Sequence, residues 1–249
     1  MAPLESPLVV VRGLSHSYSP DAPLMVGLAL DLSEGQLMAA VGGAGSGKTT
    51  LLNVLAGVVR AQEGQVQVAG HDLRHMTDDE LAAYRRHVIG YAWQKPEAGL
   101  LGALTVLQNV MVPMLVDSGT KGTRLRRAAA LLEALGLGAR LDRRPAQLVH
   151  GEAQRLALAV ALANEPRLLL ADEPTADMDR TASRELLADL IALLRSTGTA
   201  AIIATRDQQV VERVDQVGPL AGRLQPDPRL SAEAEERPAP ADIMPFREW

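Results

Sequence analysis

Leu37-Met38-Ala39-Ala40-Val41, then Gly42-Gly43-Ala44-Gly45-Ser46-Gly47-Lys48-Thr49, then Thr50-Leu51-Leu52-Asn53-Val54-Leu55 follow one another without interruption. The first run is short and apolar, as a buried parallel strand requires, and the last has helical periodicity, so the pattern predicts strand, glycine loop and helix. Glycines at 42, 45 and 47 let the loop take positive φ and turn its amides inward, at the positive end of the helix dipole. That is a cradle for phosphate. Lys48 follows at the position from which an ammonium reaches β- and γ-phosphate oxygens, and Thr49 offers a hydroxyl to Mg²⁺, a cation that takes oxygen ligands and keeps several waters. The implied ligands are a nucleoside triphosphate and Mg²⁺, held by Gly42, Gly43, Ala44, Gly45, Ser46, Gly47, Lys48, Thr49 and Thr50. A chance glycine turn would lack the flanking strand and helix.

Farther along, Leu168-Leu169-Leu170-Ala171-Asp172-Glu173 is a second apolar run, ended by two adjacent carboxylates. Ligands of open α/β sheets collect at the carboxyl ends of strands. Successive strand residues point opposite ways, so Asp172 is placed to hold the Mg²⁺ shell through water while Glu173 faces the γ-phosphate and its attacking water. Alone, the segment reads as a core strand followed by two solvated acids; the phosphate loop tips the reading toward phosphoryl chemistry.

Between and around these motifs the pattern predicts strands over Leu8–Arg12, Val26–Leu32, Gln65–Ala69 and Val88–Ala92, a turn at Gly70-His71-Asp72, and a helix over Asp78–His87. From Pro96 to about Leu148 helical stretches broken by Gly and Pro take over, including the arginine-rich Arg124–Leu135. Helices over Gly151–Asn164 and Asp179–Arg195 follow, with strands over Arg167–Ala171 and Ala200–Thr205 and a last pair of elements around Val210–Val217. The expected fold class is α/β: a mostly parallel sheet with helices and an N-terminal antiparallel β subdomain. A helical lobe (about 96–164) is inserted in a core of about 8–95 and 165–225. Residues 226–249, rich in Pro, Ala and Glu, read as a disordered tail.

The chain has 249 residues, 47% hydrophobic and 22% charged, enough for one large domain with a lobe. It has no cysteine, which excludes a disulfide framework and thiolate metal sites. A net charge of −5 disfavours a nucleic-acid partner. No apolar run approaches the ~20 residues of a membrane helix and no signal-peptide pattern opens the sequence, so a membrane role is expected through a partner.

The order of phosphate loop, lone Gln94 after a strand, helical lobe, Leu148-Val149-His150-Gly151-Glu152-Ala153-Gln154-Arg155 and Leu168 to Thr175 resembles an ATP-binding-cassette (ABC) ATPase over residues 8 to about 225. Met76 to Leu81, Leu104 to Val110, and Leu135-Gly136-Leu137 with Arg143-Arg144-Pro145 resemble the lipoprotein-release, macrolide-export and cell-division branch. The resemblance implies a P-loop NTPase core and hydrolysis of ATP with Mg²⁺. It implies head-to-tail dimers, each nucleotide lying between one subunit's phosphate loop and the other's signature helix, here Val149, His150, Gly151 and Glu152. It further implies a separate membrane permease as partner and a cytoplasmic, membrane-peripheral location. Tyr18 would stack on adenine, Gln94 would touch Mg²⁺ and the water, and Asp177 to Asp179 would cross the dimer interface.

Three positions in two motifs depart from the family pattern. Val149 stands where the signature has a serine hydroxyl, and His150 where it has a glycine, which is expected to strain a tight turn. Arg206 stands where a histidine precedes Asp207. Two readings of Arg206 are open: a catalytic group gripping the γ-phosphate, or a side chain turned into solvent. Because both half-sites of the chain are altered, a heterodimer with a regular ATPase partner is favoured over a homodimer. The functional classes in view are the motor of a transporter, a signalling subunit of cell-division type that moves no solute, and a soluble ABC protein acting on DNA or ribosomes. The last lacks support from any basic arm or coiled-coil insertion.

Overall fold

Five strands carry the apolar runs into one parallel sheet: β3 (Leu37–Val41), β6 (Ile89–Ala92), β7 (Leu168–Asp172), β8 (Ala200–Thr205) and β9 (Gln216–Pro219), in the order β6-β7-β8-β3-β9. The computed structural model describes residues 7–19, 22–116 and 119–220. Both sheet faces are covered, as parallel sheets require. Alternation along the strands assigns Met38, Ala40, Leu168, Leu170, Ile202 and Ala204 to one buried cluster. Leu37, Ala39, Leu169, Ala171, Ala201 and Ile203 go to the other.

The first cluster is closed by α1 (Lys48–Leu55), α2 (Asp78–His87) and an antiparallel sheet of order β2-β1-β4-β5, built from β1 (Val9–Ser19), β2 (Ala22–Leu32), β4 (Glu63–Val68) and β5 (His71–Asp72). β1 and β2 are longer than their alternation predicts. Their pairing continues through irregular registers between Val11 and Ser19, and these bulges hide the period-2 signal. The expected turn at Gly70-His71-Asp72 instead ends in a short strand that pairs with Gln67 and Val68.

The second cluster takes in α3 (Val106–Met111), α4 (Lys121–Ala134), α5 (His150–Leu162) and α6 (Arg180–Thr197). The helices between β6 and β7 therefore share their core with the sheet: Val110, Leu132 and Leu156 are buried together with Leu169 and Ile203. Arg155 ties α5 to its neighbours, donating to the Leu135 carbonyl at 2.9 Å and pairing with Asp189 of α6. After β8 come a short α7 (Gln208–Val211) and β9. The predicted tail at 226–249 lies outside the described residues.

Candidate active site at the carboxyl edge of the parallel sheet

The loop between β3 and α1 is held open by its glycines in two different ways. Gly47 caps α1 at φ 90°, a left-handed backbone, and a Cβ there would also press on Met25. Gly42 has no such φ; a Cβ would sit 2.2 Å from the Ser46 hydroxyl, so glycine is needed for room. That corrects the expectation of positive φ at position 42. The buried Ser46 hydroxyl has no hydrogen-bond partner among the described residues, and its chemistry suits a phosphate oxygen. Lys48, also buried, donates from Nζ to the Gly42 carbonyl at 2.6 Å and the Gly43 carbonyl at 2.9 Å. The loop thus closes on its own ammonium, with Ala44 and Gly45 at its tip.

Parallel pairing of β7 with β8, and of β8 with β3, brings the second motif to this loop. Thr49 Oγ1 donates to Asp172 Oδ2 at 2.7 Å, and Lys48 Nζ lies 3.5 Å from Glu173 Oε1. Glu173 has φ 45°, a strained value for a non-glycine residue, while its amide still donates to Ala204 O at 2.8 Å. The left-handed turn at the strand end directs its carboxylate along the sheet edge. Burial pushes Asp172 above the usual carboxylate range; the Glu173 charge adds to this, and the Thr49 hydrogen bond and Lys48 charge oppose it. Among the described residues, no cluster of three or more His, Asp or Glu side chains could hold a metal. The oxygen pair of Thr49 and Asp172 fits a cation that completes its shell with phosphate oxygens and water, which suits Mg²⁺.

Arg206 turns to Glu173. Its amide donates to Glu173 Oε2 at 3.1 Å and its Nε to Glu173 Oε1 at 3.2 Å, so residue 206 engages both oxygens of one carboxylate. The segment is pinned behind it: Asp207 accepts from Thr175 Oγ1 at 2.9 Å and caps α7, and its own amide donates to Thr205 Oγ1. Thr175 was not legible as a site residue, because only strand pairing brings it to Asp207.

Tyr18 is 67% exposed beside the phosphate loop, and its hydroxyl accepts from Thr50 Oγ1 at 3.3 Å. His16 is buried behind it in an edge-to-face contact. Gln94 is exposed two residues beyond β6, at the same sheet edge. The signature residues stand elsewhere, at the start of α5. His150 opens that helix without positive φ, so the expected strain there does not arise; its Nε2 lies 3.2 Å from the Ala176 carbonyl. Val149 caps α5 with no side-chain hydrogen bond, Gly151 leaves 3.1 Å between a would-be Cβ and Met178, and Glu152 binds Arg140 at 2.7 Å.

A phosphate loop, a strand-end carboxylate pair and a helical lobe on one parallel sheet define an ATP-binding-cassette ATPase. The chain belongs to the ABC transporter family, whose model matches residues 25–176. It is 37% identical over 217 residues to the lipoprotein-releasing system ATP-binding protein LolD of Novosphingobium aromaticivorans, covering 86% of this chain and 96% of that protein. It is 38% identical to the macrolide export ATP-binding/permease protein MacB of Rhodopirellula baltica, covering 92% of this chain and only 34% of that longer protein. Among solved structures, it resembles a dimeric ATP-binding cassette in a post-hydrolysis state with ADP and Pi (TM-score 0.77, 28% identity, 85% of this chain and 93% of that one). It also resembles CbiO1 of Clostridium perfringens, part of the ABC transporter complex CbiONQ (TM-score 0.78, 26% identity, 86% and 85%).

Proposed function

We propose that this chain binds Mg²⁺-ATP at the loop of residues 42–50 and hydrolyses it to drive a separate membrane permease. The observation that carries this reading is the meeting of Lys48 and Thr49 with Glu173 and Asp172 at one sheet edge. On binding, Lys48 exchanges the Gly42 and Gly43 carbonyls for phosphate oxygens. Thr49 and Asp172 orient the cation, which supplies charge neutralisation at the phosphates. Glu173 takes the proton of the attacking water, Gln94 orients that water, and Tyr18 stacks on the base.

The permease is assigned to a groove of about 480 Å³ lined by Val58, Arg85, Tyr91, Trp93, Pro113 and Val116, whose apolar floor and arginine rim suit a short amphipathic helix. Gln94 adjoins it in sequence, which would connect docking to the water-positioning residue. No helix among the described residues is long and apolar enough to cross a membrane, so a peripheral position through the permease follows from this assignment. The joining of ATP-binding and permease parts in MacB, and the membership of CbiO1 in a transporter complex, support a permease partner, and no nucleic-acid partner is proposed.

A second reading, a slowed or regulatory subunit, is favoured by Val149, which offers no hydroxyl to a partner's γ-phosphate, and by the Arg206 contact with Glu173. It entails a heterodimer in which a regular partner supplies an intact signature. Steady-state Mg²⁺-ATP hydrolysis over a range of protein concentrations tests the main reading. Turnover that falls about 100-fold or more in Glu173→Gln, with ATP binding retained, supports it. Equal turnover in parent and variant would discard Glu173 as the base.

A further inference from the structure

Arg206 has 60% of its side chain exposed, yet its Nε leaves water to meet a carboxylate that is only 10% exposed. A guanidinium at such a position is free to extend outward. Instead it folds back 33 residues along the chain to Glu173, beside Lys48. We propose that Arg206 is a positioning residue that acts through Glu173: its guanidinium latches the carboxylate away from water and sets the turnover rate. This rests on Glu173 being the base of the proposed ATPase.

The two contacts from residue 206 are separable. The amide bond to Oε2 belongs to a backbone that Thr175, Asp207 and the cap of α7 hold in place. The Nε bond to Oε1 belongs to the side chain alone. A general base must offer a free lone pair to the water proton, and Oε1 already accepts from a permanent cation. Removing the guanidinium therefore leaves Oε1 only the longer contact with Lys48, a lysine that the proposed mechanism turns to phosphate, while Oε2 keeps the carboxylate in place. An arginine that gripped γ-phosphate would behave in the opposite way, because its loss would slow hydrolysis and weaken ATP binding.

The test compares the full chain with Arg206→Ala and Arg206→Lys, using ATP binding, turnover and a ¹H–¹⁵N spectrum of arginine side chains. Arg206→Ala is expected to raise kcat about tenfold, ~1.4 kcal/mol in the barrier, with KM for ATP unchanged. Added salt is expected to speed the parent and not the variant, since screening loosens only an ion pair that exists. In the nucleotide-free parent, the Arg206 Nε–H signal, assigned by its loss in Arg206→Lys, is expected to exchange slowly and to shift in Glu173→Gln. A parent that binds ATP while Arg206→Ala is no faster overturns the latch, as does an unprotected Nε–H signal. A lower kcat with a raised KM overturns it in favour of a direct phosphate grip. A parent that binds no ATP overturns the ATPase reading beneath it.

Discussion

Asp172 states the cost of this site in a single side chain. The residue is 3% exposed at a strand end, where burial raises the pKa of its carboxyl and favours the neutral form. A carboxyl whose folded pKa exceeds its unfolded value loses stability as pH rises from the ordinary carboxylate value through the raised one, and the loss stays above it. Asp172→Asn removes that loss and keeps an oxygen to accept from Thr49. The nucleotide-free variant is therefore expected to melt about 2–4 °C above the parent at neutral pH, ~1 kcal/mol for a chain of this size, while losing hydrolysis. Thermal denaturation followed down into the acid range checks the sign, because the gap between variant and parent narrows as Asp172 protonates. The placement of Asp172 and Glu173 at a strand end could be read in the sequence, since an apolar run and the acids that end it are local patterns. The partner of Glu173 could not: Arg206 meets it only because Asp172 and Ala204 are paired across β7 and β8.

At the scale of the element, α5 exposes what the altered signature does to its own fold. A good N-cap accepts from an amide in the first helical turn, and Val149 has no acceptor. Only the reciprocal half of a capping box survives, with Glu152 Oε2 accepting from the Val149 amide at 3.2 Å. Contrast α2, where Thr77 accepts from the Glu80 amide and Glu80 from the Thr77 amide, and both halves are made. Val149→Ser is expected to stabilise the isolated chain by about 1 kcal/mol, seen as an equal rise in unfolding free energy by denaturant titration. No gain would mean that another group already satisfies the first turn. Helix positions such as α2 were legible because caps and period coincide there. β1 and β2 were legible only in part, because bulges at the level of pairing erase the alternation that sequence reading depends on.

For the whole molecule, the altered start of α5 bears on assembly. Val149 is 68% exposed, and His150 and Gly151 beside it lean on the Ala176–Met178 loop that follows Glu173. The family resemblance implies that this loop crosses a dimer interface, so a change at the signature is expected to reach it within one chain. Two copies of this chain closing head to tail would place a valine against each γ-phosphate, losing a hydrogen bond to a charged group twice. At about 1.5–3 kcal/mol each, that is ~3 kcal/mol or more, on the order of a hundredfold in self-association. A heterodimer loses it once, and leaves this chain's own nucleotide facing an intact signature. With Glu173→Gln to hold ATP unhydrolysed, sedimentation velocity is expected to find the chain largely monomeric at micromolar concentration. Adding Val149→Ser is expected to shift it to dimer by on the order of a hundredfold in Kd. Tight ATP-dependent homodimers of the Val149 chain would instead show that the hydroxyl is dispensable, and with it the argument for a second kind of subunit.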